Sequence, residues 1–122
     1  MDKKSNKNNN VRKFKTGATR DTDCGKLDYE GFLSPLVLER YAQYMNKHLM
    51  QSDGTLRESD NWQKGIPVNS YMKSMWRHFM DVWKSYRGTK LDEEALCALL
   101  FNVMGMLHEQ IKNKTNNMDI PA

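Results

Sequence analysis

In residues 67–88, large apolar side chains return every three or four positions: Met72, Met75, Trp76, Phe79, Trp83 and Tyr86. That is the period of an amphipathic α-helix, and an aromatic and methionine face of this breadth has to pack against something. The spacing predicts a helix from about residue 69 to 88 with this face in the core. His78 and Asp81, three residues apart, then share the flank away from it with Ser74 and Ser85.

Two further helices bracket this one. Ser34 followed by Pro35 marks a helix start, and Leu38, Ala42, Met45 and Leu49 carry an apolar stripe to about Met50. Glu39, Gln43 and Asn46 lie on a polar stripe beside it. A third helix opens around residues 89–92, where Asp92, Glu93 and Glu94 complement the positive end of its dipole, and runs to about Lys112. Ala95, Leu99, Val103, Met106 and Gln110 line one side of it, with Leu96, Leu100 and Leu107 alongside. Glu94, Ala98, Asn102, Gly105 and Glu109 form a second, small and polar stripe. Strand signals are weak, with no sustained alternation and no Asn-Gly or Asp-Gly hairpin between β-branched runs. The expectation is therefore all-α: a small antiparallel helical bundle with a long irregular N-terminal segment and a long loop, 51–67. A loop of that length is functional or disordered, and Trp62 argues against pure disorder.

Charge divides the chain unevenly. The formal net charge is +4, yet residues 1–15 hold six basic side chains against Asp2 alone, leaving thirteen basic and fourteen acidic residues for the rest. A nearly neutral body removes the main support for nucleic-acid binding by a cationic surface, and leaves only a basic arm. We read a disordered basic tail at 1–15, one all-α domain at 16–112 and a frayed tail at 113–122. No apolar run reaches membrane length and no secretory signal is visible, so a cytoplasmic protein without a membrane partner is expected. Cys24 and Cys97 form no CxxC or Cys/His cluster and read as free thiols. Nine methionines, with surplus surface at Trp76, Met80, Trp83 and Met104, point to a homodimer or homotetramer.

The candidate chemistry lies on the polar stripes. Glu39, Asp81, Glu94 and Glu109 can converge if the helices pack antiparallel, which would make an oxygen-rich site for Mg²⁺ or Mn²⁺; solvated acids are the ordinary alternative. Asn102, between Phe101 and Val103, either reads a base edge or ribose or is satisfied within the core. Trp62 could stack on a nucleobase that Asn61 reads, or could plug the core. His78 is either a packed histidine or a group that shares a ligand or proton with Asp81. Arg20, after the flexible Gly17-Ala18 step, and Lys26 would suit phosphate contacts. No P-loop, GxSxG, HExxH or His-Asp doublet occurs.

Four segments in order, TGATRDTDCGKLDYEGFLSPLVLERYAQYM, SDNWQKGIP, SMWRHFMDVW and EALCALLFNVMGMLHE, resemble the phage-associated dATP/dGTP diphosphohydrolase N-terminal domain family. This is a MazG-like group of small all-α nucleotide pyrophosphohydrolases. The resemblance runs from Thr16 to about Glu109. It implies Mg²⁺- or Mn²⁺-dependent cleavage of a purine deoxynucleoside triphosphate to the monophosphate and pyrophosphate, in the host cytoplasm if the chain is phage-encoded. It places Glu39, the Asn61-Trp62 pair, Arg77-His78 and Asn102 at the family's motif positions. Stripe geometry adds Asp81 and Glu94, giving a metal set of Glu39, Asp81 and Glu94. Arg20, Lys26 and Arg77 would neutralise phosphate, and His78 would orient a phosphate or the water. The family carries an ExxE pair on its first metal helix where this chain has only Glu39, so the acid set is rearranged or incomplete. Two other readings stand beside the enzyme: a protein that binds or sequesters a nucleotide without turnover, and an accessory interaction protein using its basic arm.

Overall fold

The computed structural model describes residues 11–116. The expected tail at 1–10 and the end of the expected C-terminal tail, 117–122, lie outside the described residues. The chain forms two compact units, divided between Ser34 and Pro35.

The first unit departs from an all-helical fold. β1 (Val11–Lys13) and β2 (Thr19–Asp21) pair antiparallel, with Val11 opposite Asp21 and Lys13 opposite Thr19. The hairpin closes by bonds from Phe14 N to Ala18 O and from Gly17 N to Phe14 O, both 2.9 Å, and Gly17 takes the positive φ (94°) that the turn requires. Arg12 holds the strands together, donating through Nε to Asp21 O at 3.0 Å and lying over the Phe14 ring at 5.5 Å. Part of the stretch read as basic tail is therefore strand. Three-residue strands rich in Arg, Lys and Asp carry no alternation for a sequence pattern to show. A single helical turn, α1 (Tyr29–Phe32), follows, with Asp28 Oδ1 accepting from Gly31 N at 2.9 Å.

The second unit is helical. α2 (Pro35–Lys47) starts where Ser34-Pro35 places it and ends three residues before the expected Met50. α3 (Val68–Arg87) and α4 (Glu93–Asn116) follow the expected segments. α4 runs past Lys112, so residues 113–116 are helix where a frayed tail was expected. Gly88 N closes α3 on Lys84 O and Ser85 O, and Asp92 Oδ1 opens α4 by accepting from Ala95 N at 3.1 Å. Ser85 Oγ joins the two ends, donating to Val82 O and accepting from Asp92 N. So short a link makes α3 and α4 antiparallel neighbours.

The loop between α2 and α3 is folded. Met50 bridges Leu56, Arg57 N bonds Leu49 O at 2.8 Å, and Asn61–Lys64 forms a 3₁₀ turn.

The packing of α3 and α4 inverts the expected orientation. The buried positions of α4 are Ala95, Cys97, Ala98, Asn102, Gly105 and Glu109, mostly the small and polar stripe. Leu96, Leu100, Val103, Leu107 and Ile111 are exposed. On α3, Tyr71 is buried and Ser74, His78, Val82 and Ser85 are half-buried. Met72, Trp76, Phe79, Trp83 and Tyr86, the face expected in the core, are exposed, although Met75 of that face is half-buried.

The physical reason lies at Gly105. A Cβ there would overlap the Tyr71 ring, so the absent side chain lets the phenol, 1% exposed, fit between the helices. Ala95 and Ala98 extend the same narrow stripe. Small residues give closer helix approach than leucines can, and they fix which faces meet. The large side chains are left pointing away.

Candidate functional site

A cavity of about 250 Å³ opens in the helical unit where the α2 C-terminus, the folded loop and the middles of α3 and α4 meet. This is near the lower end of the range for small-molecule sites, about 300–1,000 Å³. α2 contributes Tyr44 and Met45, and the turn that follows it contributes His48, with the Tyr44 and His48 rings 4.3 Å apart. The loop contributes Arg57, Glu58, Ser59, Asn61, Trp62 and Ile66. α3 presents Ser74 and His78, and α4 presents Phe101 and Asn102.

Four candidate residues from distant parts of the chain, Asn61, Trp62, His78 and Asn102, thus line one cavity. Asn102 is 4% exposed, and its Nδ2 donates to Ala98 O at 2.7 Å. Only the nitrogen can donate to a carbonyl, so this bond fixes the amide's orientation and leaves Oδ1 as its accepting group. Trp62 is held by an edge contact with His108, their ring centroids 4.7 Å apart at 70°. His78 Nδ1 lies 4.0 Å from Asp81 Oδ2.

Compared with protein-family models, with curated proteins and with solved structures, the chain matches none. The resemblance to MazG-like enzymes therefore rests on the quoted residues alone.

The remaining candidates are placed elsewhere. Arg20 stands in β2 opposite Arg12, and Lys26 N caps a turn on Asp23 O; both belong to the N-terminal unit. Arg77 is exposed on α3 and does not line the cavity. Arg57 does line it, and is the cation that sequence reasoning passed over. Its one signal was its place in the long loop, five residues before Trp62.

The expected metal set is not assembled within the helical unit. Glu94 accepts from Lys47 Nζ at 2.8 Å and from Arg40 Nη2 at 2.9 Å, and Arg40 Nε also donates to Glu93 at 2.7 Å. Lys47 first and Arg40 second hold the Glu94 carboxyl below the usual carboxylate range. Both Glu94 oxygens are therefore committed to cations that a divalent ion would have to displace. Glu39 is exposed on α2, and Asp81 is exposed beside His78. Among the described residues no three His, Cys, Asp or Glu side chains are grouped to hold an ion. The acids as placed do not fit the Mg²⁺ or Mn²⁺ that the resemblance implies.

Glu109, expected on a polar stripe flanking the core, is 7% exposed instead. Its Oε2 and the Tyr71 hydroxyl are both buried without a hydrogen bond, with Lys112 Nζ 3.7 Å from the carboxylate. Burial first and the Glu109 charge second push the Tyr71 phenol up.

Proposed function

We propose that the helical unit binds a nucleotide in the cavity lined by Asn61, Trp62, His78 and Asn102. The observation that carries this reading is the buried Asn102, its amide oriented by the bond to Ala98 O, in a cavity also lined by an indole ring, a second carboxamide and a guanidinium. An aromatic ring offers a stacking surface, carboxamides read base edges or ribose hydroxyls, and Arg57 and the imidazole of His78 provide donors to phosphate oxygens. A cavity of about 250 Å³ suits the nucleoside part, with the phosphates at its mouth beside the exposed Arg57.

Turnover to monophosphate and pyrophosphate is the second reading, supported by the resemblance and by His78, which lines the cavity and has the Asp81 carboxylate 4.0 Å from its Nδ1. Titration calorimetry with dATP, dGTP, dCTP and dTTP tests the first reading, with and without Mg²⁺ or Mn²⁺. Saturable binding that Trp62→Ala and Asn102→Ala both weaken is expected; no heat from any nucleotide would sink it. Pyrophosphate release in the same mixtures separates an enzyme from a protein that only holds its nucleotide.

A further inference from the structure

The 3₁₀ turn Asn61–Lys64 puts Asn61 and Trp62 on the cavity wall. Its local bonds, from Gln63 N to Asp60 O at 2.9 Å and from Gly65 N to Trp62 O at 3.3 Å, shape the turn without fixing where it sits. Two contacts with the last part of α4 hold it in place. The Trp62 ring meets the His108 ring edge-on at 4.7 Å, and Lys112 Nζ donates to Gln63 O at 3.4 Å. His108 and Lys112 are four residues apart, so they stand on one face of α4, a turn from each other. The place of Trp62 matters twice over, because the indole also lines a second cavity of about 320 Å³ with Tyr41, Asn46 and Met104. It is a wall common to both.

Beside Lys112 stands the buried Glu109. A carboxylate removed from water is costly unless a cation or hydrogen bonds compensate it. Glu109 is 7% exposed, its Oε2 accepts no hydrogen bond, and Lys112 Nζ lies 3.7 Å from that oxygen. The Tyr71 hydroxyl of α3, also buried, donates nothing to it. Lys112 is thus the compensating charge, and its ammonium is drawn to a fixed point. Holding a lysine in one geometry costs rotamer freedom, which the pull of a rigid, buried carboxylate offsets better than a solvated one would. We propose that Glu109 and Lys112 are positioning residues of the cavity: Glu109 fixes Lys112, and Lys112 anchors the turn so that Trp62 keeps its place as the stacking surface. The stacking role rests on the nucleotide reading of the cavity.

The chain labelled with 5-fluorotryptophan gives one ¹⁹F resonance for each of its three tryptophans, assigned by Trp62→Phe, Trp76→Phe and Trp83→Phe. Lys112→Met keeps an apolar stem and removes the donor and the charge. It should move the Trp62 resonance, leave those of Trp76 and Trp83 in place, and weaken dATP binding about tenfold. Glu109→Gln, which keeps the shape and removes the charge, should move the same resonance and weaken binding in the same direction. Lys112→Arg, which keeps donor and charge, should return both readings to those of the unmodified chain. A Trp62 resonance that stays in place in Lys112→Met overturns the proposal. So does equal movement of all three resonances, which would make Lys112 a general support of the fold, and so does an unchanged affinity in a chain that binds dATP. If the unmodified chain binds no nucleotide, the reading of the cavity fails by itself, and the ¹⁹F spectra still decide whether Lys112 positions Trp62.

Discussion

At the scale of single residues, one hydrogen bond sets what the cavity can recognise. Asn102 Nδ2 gives one of its two N–H groups to Ala98 O, which fixes Oδ1 as the accepting end, and the group complementary to that oxygen is an N–H such as an exocyclic amine. Adenine carries one at C6, and purine riboside analogues lack it. A neutral hydrogen bond is worth about 1 kcal/mol net, so dATP should bind about fivefold more tightly than the 6-unsubstituted purine deoxynucleotide. Asn102→Ala should abolish that difference. Calorimetry with the two nucleotides checks it, and equal affinities for the unmodified protein would exclude Asn102 as the reading group. Sequence alone could mark Asn102 as a carboxamide amid apolar neighbours, but not which way its amide is turned. Arg57 shows the opposite case: an unremarkable loop residue becomes a cavity cation only because the Met50–Leu56 bridge folds the loop back.

At the scale of elements, α2 is tied to the start of α4 by charge. The Arg40–Glu93, Arg40–Glu94 and Lys47–Glu94 pairs link them. Glu94 has a lower pKa folded than unfolded, so the network's contribution is complete above the unfolded-state value. It is lost as pH falls through the lower folded-state value. Glu94→Gln should lower the melting temperature at neutral pH by about 1–3 °C, a modest effect because the pairs are exposed and screened. The gap should close only below the folded-state value, where the carboxylate is protonated in both states. Thermal melts of the two proteins across pH test this; a gap that persists in acid would assign the loss to packing instead. The acids of the first α4 turn were legible as dipole complements. Their capture by Arg40 and Lys47, more than fifty and forty positions away in sequence, was not.

At the scale of the whole molecule, the two units differ in how much structure protects their backbone. A two-stranded hairpin is marginal by itself, whereas long packed helices open only cooperatively. Amides of β1 and β2 should therefore exchange with solvent at least about 100-fold faster than those in the middles of α3 and α4. Hydrogen exchange followed by mass spectrometry reads this directly, and equal protection would show the hairpin to be anchored by more than its own bonds. Among the described residues no helix is long and apolar enough to cross a membrane, so the exposed stripes are not membrane spans. The sequence by itself determined where the three long helices lie, because Ser34-Pro35, Gly88 and Asp92 are local signals and 3.6-residue periodicity needs no partner to be seen. It also marked four of the residues that line the cavity, Asn61, Trp62, His78 and Asn102. Only the tertiary structure decided which side of each helix faces inward, since periodicity counts large apolar side chains and cannot weigh them against close approach. Here Gly105 admits Tyr71, and Ala95 and Ala98 are buried on the same side of α4, so the small and polar stripes meet inside and the large apolar ones face out.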